Sequence, residues 1–178
     1  MLILSAGQQL TRSDGSAYSL FVFYQEERGD GFTEIRCQAE QQNEDGTCQR
    51  FASVEQDLHF QDDNRRFTHG TITLIDTDGT KRPLTITAAG PTGFHLGTAG
   101  YYGWNDWVLG QWVGDLKVEG SHVTDCDHPK NARELHQLRD LLVRVEDSVG
   151  GGIGLGNAET FALGAVPERG LSAENSFL

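Results

Sequence analysis

The segment FTHGTITLIDTDGTKRPLTITAAG, residues 67–90, contains two runs of alternating and β-branched residues. An Asp78-Gly79 pair lies between the runs, and Asp-Gly is a strong hairpin signal because a type I′ turn needs positive φ at both central positions. In the first run Ile72 and Leu74 alternate with threonines, as expected for a strand that presents one face to a core. We therefore predict a β-hairpin across this segment.

The same pattern extends over residues 1–125, which we predict to be β-structure. Three further Asp-Gly pairs separate β-like runs: Asp14-Gly15, Asp30-Gly31 and Asp45-Gly46. The predicted strand segments are 19–25, 32–40, 54–60, 67–76 and 82–90. In the second of these, Ile35, Cys37 and Ala39 alternate with polar residues, so they are expected to face inward.

Residues 97–114, GTAGYYGWNDWVLGQWVG, hold all three tryptophans of the chain and two of its four tyrosines. Such aromatic side chains supply large apolar areas and each carries a polar tip. Their density favours the wall of a ligand pocket, although packing as core is the alternative. The residues predicted to contact a ligand are Tyr102, Trp104, Asn105, Trp107 and Trp112.

A single helix is predicted over about residues 129–142. Asp127 suits an N-cap and Pro129 suits the first turn, while Ala132, Leu135 and Leu138 fall on one apolar face. The residues VRVED that follow resemble a strand. The run GGGIGLG at 150–156 lacks the glycine order of a dinucleotide fingerprint, so nucleotide binding is not expected.

Length and composition indicate one globular domain covering residues 1–178. The formal net charge of −12 disfavours nucleic acid and anionic membrane surfaces as partners. No segment is apolar enough to insert in a membrane, and the N-terminus lacks the features of a signal peptide, so a cytoplasmic location is expected. Cys37, Cys48 and Cys126 form no pairing pattern, which favours free thiols.

The candidate catalytic residues are Asp106, His95 and Tyr101. Asp106 lies between Trp104 and Trp107, and a carboxyl group buried beside indoles would act as a general acid. An exposed turn at this position is the alternative. The six histidines form neither H-x-H nor H-E-x-x-H, so neither a metal nor another cofactor is predicted.

The segments GYYGWNDWVLGQWVGDLKVEG, DCDHPKNARELHQLRD and VRVEDSVGGGIGLGN resemble the lipocalin-like superfamily that includes carotenoid 1,2-hydratases and AttH-type proteins. Gly100 and Tyr101 match the start of the signature G-Y-x-D-H-x-W-G, whereas Gly103 and Trp104 occupy its Asp and His positions. The resemblance implies a mainly β fold, a lipocalin-like antiparallel β-barrel or half-barrel with one α-helix near the C-terminal third. It also implies an apolar cavity for an isoprenoid or steroid-like molecule.

Some members of that superfamily hydrate or isomerise carbon–carbon double bonds by acid catalysis, and the resemblance implies such a reaction without a cofactor. In this chain Asp106 would donate the proton, with assistance from His95 or Tyr101. Two other hypotheses remain open. One is a non-catalytic carrier of lipophilic ligands, and the other is an accessory half-barrel that pairs with a second copy, as a homodimer, or with another domain.

Overall fold

A computed structural model describes residues 2–61, 65–98, 118–125, 138–162 and 164–175 of the chain. These residues form one antiparallel sheet of ten strands and two short 3-10 turns, which confirms the predicted mainly β class. The strands are β1 (Leu2–Arg12), β2 (Ala17–Gly29), β3 (Phe32–Asn43), β4 (Cys48–Arg50), β5 (Ser53–Phe60), β6 (Phe67–Ile75), β7 (Lys81–Thr98), β8 (Val118–Asp125), β9 (Leu138–Asp147) and β10 (Gly152–Ala162).

The order of strands across the sheet is β4-β3-β2-β1-β10-β9-β7-β6-β5, and β8 pairs with the second half of β7. The sheet curls strongly, so that its two terminal strands approach each other. At this corner the Phe51 N–H donates to the Ala39 carbonyl at 3.0 Å, and the Ala52 N–H donates to the Ile75 carbonyl at 2.7 Å. The architecture is an antiparallel half-barrel, which fits the lipocalin-like half-barrel that we predicted.

The predicted hairpin turns form at all four Asp-Gly pairs, but not as type I′ turns. In each pair the glycine has a φ between +82° and +88°, whereas no aspartate has positive φ. Three of the turns are closed in the same way; the Gly79 N–H, for example, donates to the Asp76 carbonyl at 3.0 Å. The turns therefore need positive φ only at the glycine, which has no Cβ to resist it.

Side chains that point into the half-barrel form one apolar core. Successive strands contribute alternate residues, as the period of two requires. The largest fully buried apolar side chains are Tyr18, Phe67, Leu4, Leu10, Leu20, Leu58, Ile72, Leu74, Leu84 and Ile86. Five polar residues share this interior face: Gln8, Glu26, Gln41, Asp147 and Thr160.

The glycine run at 150–156 forms the end of a turn and the start of β10, and no helix follows it among the described residues. Gly152 and Gly156 face the interior. A Cβ at Gly152 would overlap the Tyr18 hydroxyl, and one at Gly156 would overlap the Gln8 side chain and the Gly7 backbone. These glycines therefore make room for large side chains that lie across β10.

Two sequence predictions need correction. The helix predicted over 129–142 is wrong at its end, because Leu138–Leu142 belong to β9, which is paired to β10 on one side and partly to β7 on the other. Residues 129–137 lie outside the described part. Ala39 is buried and Cys37 packs against the core as predicted, but Ile35 is 54% exposed, since none of the described strands pairs with the outer side of β3 at this position.

The described residues include no helix long and apolar enough to cross a membrane. They place Cys37 and Cys48 as free thiols, as predicted, while Cys126 lies outside them.

The segment 164–175 contacts β5, at one end of the sheet, and β2, the third strand from the other end. Its 3-10 turns are Pro167–Arg169 and Ala173–Asn175, and it buries Val166 and Leu171. Arg169 donates to the Gln56 side chain at 2.9 Å and pairs with Asp57, both on β5. Its neighbour Glu168 pairs with Arg28 at the end of β2. The segment therefore links β5 to β2 at the open seam of the half-barrel.

Candidate functional site

Most of the predicted site residues lie outside the described part of the chain. These are Asp106, Tyr101, Tyr102, Trp104, Asn105, Trp107 and Trp112. Their predicted roles stay predictions. His95 lies in β7, opposite His122 of β8.

We call residues 99–117, which hold these tyrosines and tryptophans, the aromatic segment. The register of the strands locates the two residues that flank it. Residues 99–117 connect Thr98 of β7 to Val118 of β8, and these two residues are directly paired. Phe94 of β7 pairs with Asp140, the third residue of the antiparallel strand β9. Because β7 continues for four more residues to Thr98, its end lies beyond the start of β9. In the next row of the sheet Arg139 pairs with Thr160 of β10. The aromatic segment therefore leaves the sheet at the end where Thr160 lies.

We call this the Tyr24 end of the half-barrel, defined by Tyr24, Glu26 and Thr160. The Tyr24 hydroxyl donates to Glu26 Oε2 at 2.9 Å, and both residues are buried. Burial, followed by the hydrogen bond to Glu26, raises the pKa of Tyr24 to about 12. Glu26 also pairs with Arg28. The Tyr24 phenol is thus neutral at physiological pH and holds its proton firmly.

Two polar side chains in the interior have no hydrogen-bond partner among the described residues. Gln8 is 4% exposed, and neither its amide nitrogen nor its amide oxygen is bonded. Thr160 is 2% exposed and its hydroxyl is likewise unbonded. An unsatisfied buried polar group costs about 1–3 kcal/mol, so both side chains favour a polar partner beyond the described residues.

At the opposite end of the half-barrel, which we call the Arg82 end, the polar side chains form hydrogen bonds with one another. Asp147 Oδ2 accepts from the Tyr18 hydroxyl at 2.6 Å and from Arg82 Nε at 2.9 Å, while Oδ1 accepts from the Gly150 N–H at 2.7 Å. Arg82 also donates to Gln41 Oε1 at 2.8 Å. Burial alone would raise the pKa of Asp147, but the hydrogen bonds from Arg82 and Tyr18 outweigh it and lower that pKa. Every carboxylate oxygen is engaged, which is typical of a structural ion pair.

A second concave region lies on the outer face of β5, β6 and β7. It is an open groove of about 490 Å³. It is lined by Asp57, His59, Thr68, His69, Gly70, Thr71, Thr85 and Thr87. His59 and His69 are directly opposite in the sheet, and their rings stack with centroids 4.6 Å apart.

Sequence reasoning missed both the unbonded Gln8 and this histidine pair. Gln8 carries no motif, although its place between Ala6 and Leu10 on an alternating strand indicates an inward position. The histidines are ten residues apart, and only the register of β5 against β6 brings them together. Among the described residues no three His, Cys, Asp or Glu side chains form a ready-made metal site.

The chain belongs to a family of unknown function, DUF8625, whose model matches residues 16–172. This match spans β2 to β10 and most of the C-terminal segment that closes the seam. No curated protein matches the chain. No solved structure matches it either. The family match carries no link to the carotenoid hydratase superfamily.

Proposed function

We propose that this family member binds a small, mostly apolar molecule with one or two hydrogen-bonding groups in the interior of the half-barrel, between Gln8 and the Tyr24 end. The observation that carries the proposal is the Gln8 amide, which is buried in an apolar interior and whose two polar atoms have no partner in the part of the chain that the structure describes. A ligand hydroxyl or carbonyl would satisfy it, because the amide offers both a donor and an acceptor. Thr160 would serve a second polar group.

The apolar part of the ligand follows from the surroundings of these two side chains. Gln8 lies on β1 between Ala6 and Leu10, and Thr160 lies on β10 between Ala158 and Ala162, all of them buried. Thr160 pairs with Leu4, and Leu4 lies four positions before Gln8 on β1. Gln8 and Thr160 are therefore roughly 13 Å apart along the strand direction. A lipophilic molecule of isoprenoid or steroid size and with an oxygen at each end has the length to reach both.

The position of the aromatic segment supports the same end of the half-barrel. Its two ends, Thr98 and Val118, lie beyond the row that contains Thr160. Under this proposal the predicted ligand contacts Trp104, Trp107 and Trp112 close over the apolar part of the ligand, with Tyr102 and Asn105 beside them.

Tryptophan fluorescence tests binding directly, because all three tryptophans lie within residues 104–112. Titration with a C20 isoprenoid alcohol and with a sterol is expected to quench this fluorescence saturably and to raise the Tm. Gln8→Leu should weaken the affinity about tenfold, which corresponds to the loss of one hydrogen bond. Gln9→Leu is the matched control, since Gln9 is exposed on the other face of the same strand. Equal affinities of the two variants contradict the proposal.

Hydration or isomerisation of a carbon–carbon double bond is the catalytic form of this proposal. Asp106 would protonate the alkene, and His95 or Tyr101 would assist. The buried carboxylates of the described residues are poor alternatives, since Glu26 and Asp147 already hold hydrogen bonds and ion pairs. Asp106→Asn is therefore expected to abolish turnover of the bound alkene and to leave its affinity nearly unchanged. Unchanged turnover in that variant removes Asp106 from the mechanism.

A homodimer is the second candidate, and the edge of β3 supports it. Among the described residues β3 pairs with β4 only from Glu40 to Gln42, so the segment 32–39 has no strand on the side away from β2. Phe32 and Ile35 are exposed along this edge, and an unpaired apolar edge favours association. Light scattering after size exclusion should give the mass of two chains, and a single-chain mass at micromolar concentration argues against this arrangement.

A further inference from the structure

The outer groove contains a pair of histidines in one row of the sheet. His59 of β5 and His69 of β6 are directly opposite each other, and their rings are nearly parallel, with an interplanar angle of 14°. Both side chains are exposed, and the groove of about 490 Å³ lies above them. The rings therefore have room to turn out of the stack toward a common ligand.

The hydroxyl of Thr68 fixes which nitrogen of His69 is available. This hydroxyl donates its only hydrogen to the His59 carbonyl at 3.1 Å, and it lies 3.0 Å from His69 Nδ1. Because the hydrogen is already used, the Thr68 oxygen accepts from His69 Nδ1–H. The Nε2 atom of His69 is then unprotonated in the neutral ring, and an unprotonated imidazole nitrogen is what a metal ion binds.

Asp57 places a carboxylate beside the second histidine. Its Oδ2 lies 3.9 Å from His59 Nε2, and its Oδ1 is held by Arg169 of the C-terminal segment. Ligand atoms on one tetrahedral zinc ion, each about 2.0–2.1 Å from the metal, are separated by roughly 3.3 Å. A small rotation of His59 brings its nitrogen and this oxygen to that separation.

We propose that His59 and His69 bind a divalent first-row transition-metal ion in this groove, with Asp57 as a weaker third ligand and Thr68 as the positioning residue. Imidazole and carboxylate ligands suit Zn²⁺, Ni²⁺ and Cu²⁺, and the affinity for Cu²⁺ should be the highest. The site is independent of the interior of the half-barrel, since its side chains are on the opposite face of the sheet.

Calorimetric titration of the untagged, chelator-treated full chain with CuCl₂ and ZnCl₂ tests the site. His59→Gln and His69→Gln should each weaken Cu²⁺ binding more than tenfold, while His136→Gln is the control for a histidine elsewhere. Electron paramagnetic resonance of the Cu²⁺ complex should show hyperfine coupling to two imidazole nitrogens. Wild-type affinity in either His59→Gln or His69→Gln overturns the proposal.

Thr68→Val separates the positioning role from simple packing. Loss of a group that orients a metal-ligating histidine costs about 10–100-fold in metal affinity, so this variant should bind Cu²⁺ more weakly with both histidines intact. Thr71→Val, another threonine of the groove, is the matched control and should bind as wild type. Nitrogen chemical shifts of His69 should report the Nδ1–H tautomer in the metal-free protein. An Nε2–H tautomer, or equal affinities of the two variants, removes Thr68 from the site.

Discussion

The two ends of the half-barrel hold similar polar residues in very different states. At the Arg82 end a buried tyrosine, carboxylate, arginine and amide satisfy one another: Tyr18, Asp147, Arg82 and Gln41. Gln8, which lies between the two ends, and Thr160 of the Tyr24 end are equally buried but have no hydrogen-bond partner among the described residues. A folded protein tolerates an unsatisfied buried group mainly where function requires it. Under the proposed function, this difference separates an end that holds the fold from the interior region between Gln8 and Thr160 that would take a ligand.

The largest effect is expected from Asp147→Ala at the Arg82 end. Removing the carboxylate leaves the buried Arg82 guanidinium and the Tyr18 hydroxyl without their partner, and breaking a buried ion pair costs about 3–5 kcal/mol. Urea unfolding measures this loss. Glu146→Ala, an exposed neighbour on the same strand, should change the free energy of unfolding by less than about 0.5 kcal/mol. A small effect of Asp147→Ala would mean that the Arg82 end does not stabilise the fold.

A glutamine-to-leucine substitution, made once at Gln41 and once at Gln8, tests whether the bonded and the unbonded amide contribute differently to stability. Gln41→Leu should destabilise the protein by about 1–3 kcal/mol, because Arg82 loses a buried hydrogen-bond acceptor. Gln8→Leu should be neutral or stabilising by about 1 kcal/mol without ligand, because it removes two unsatisfied atoms at similar volume. The urea midpoints of both variants show whether each substitution raises or lowers the free energy of unfolding. Destabilisation by Gln8→Leu would show that its amide is satisfied in solution.

The smallest effect is expected from the two buried tyrosines, one at each end of the half-barrel, and it should be similar for both. Burial raises the pKa values of Tyr18 and Tyr24 to about 12 each, from an ordinary value of 10.0. A raised pKa means that the folded state holds the phenolic proton more tightly. This stability is fully present below about pH 10 and is lost as the pH rises toward about 12.

The free energy of unfolding, measured between pH 9 and 12, should therefore fall more steeply for the wild type than for Tyr24→Phe. Tyr18→Phe should flatten the profile to a similar degree. Parallel profiles for the wild type and Tyr24→Phe would show that burial does not hold the Tyr24 proton.

Local sequence signals predicted the hairpins of this fold well. The Asp-Gly pairs and the alternating runs indicate strands on their own, because turn and period are local properties. The end of the predicted helix was wrong because Leu135, Leu138 and Leu142 suit a helical face, whereas Leu141, Val143 and Val145 suit a strand. The hydrogen-bonded pairing of β9 with β10 on one side and with β7 on the other favours the strand. Pairing with β7 joins residues that are distant in sequence, and neither pairing can be recognised within the segment itself.

The features proposed as sites were harder to predict. The His59–His69 pair depends on the register of two strands, and the unbonded state of Gln8 depends on every residue that surrounds it. Composition gave no sign of either. The aromatic segment was conspicuous in the sequence, and the structure adds where its two ends lie.

The position of β10 has a consequence for how the chain folds. Strands β1–β4 form a meander from residues 2–50, and β5–β9 build the other part of the sheet. Among the described strands only β10 pairs with both parts, joining β1 to β9. Until residues 152–162 leave the ribosome, β1 and β9 each keep an unpaired edge. Such long-range pairing is slow, so the nascent chain stays exposed to aggregation until β10 has been synthesised and has paired.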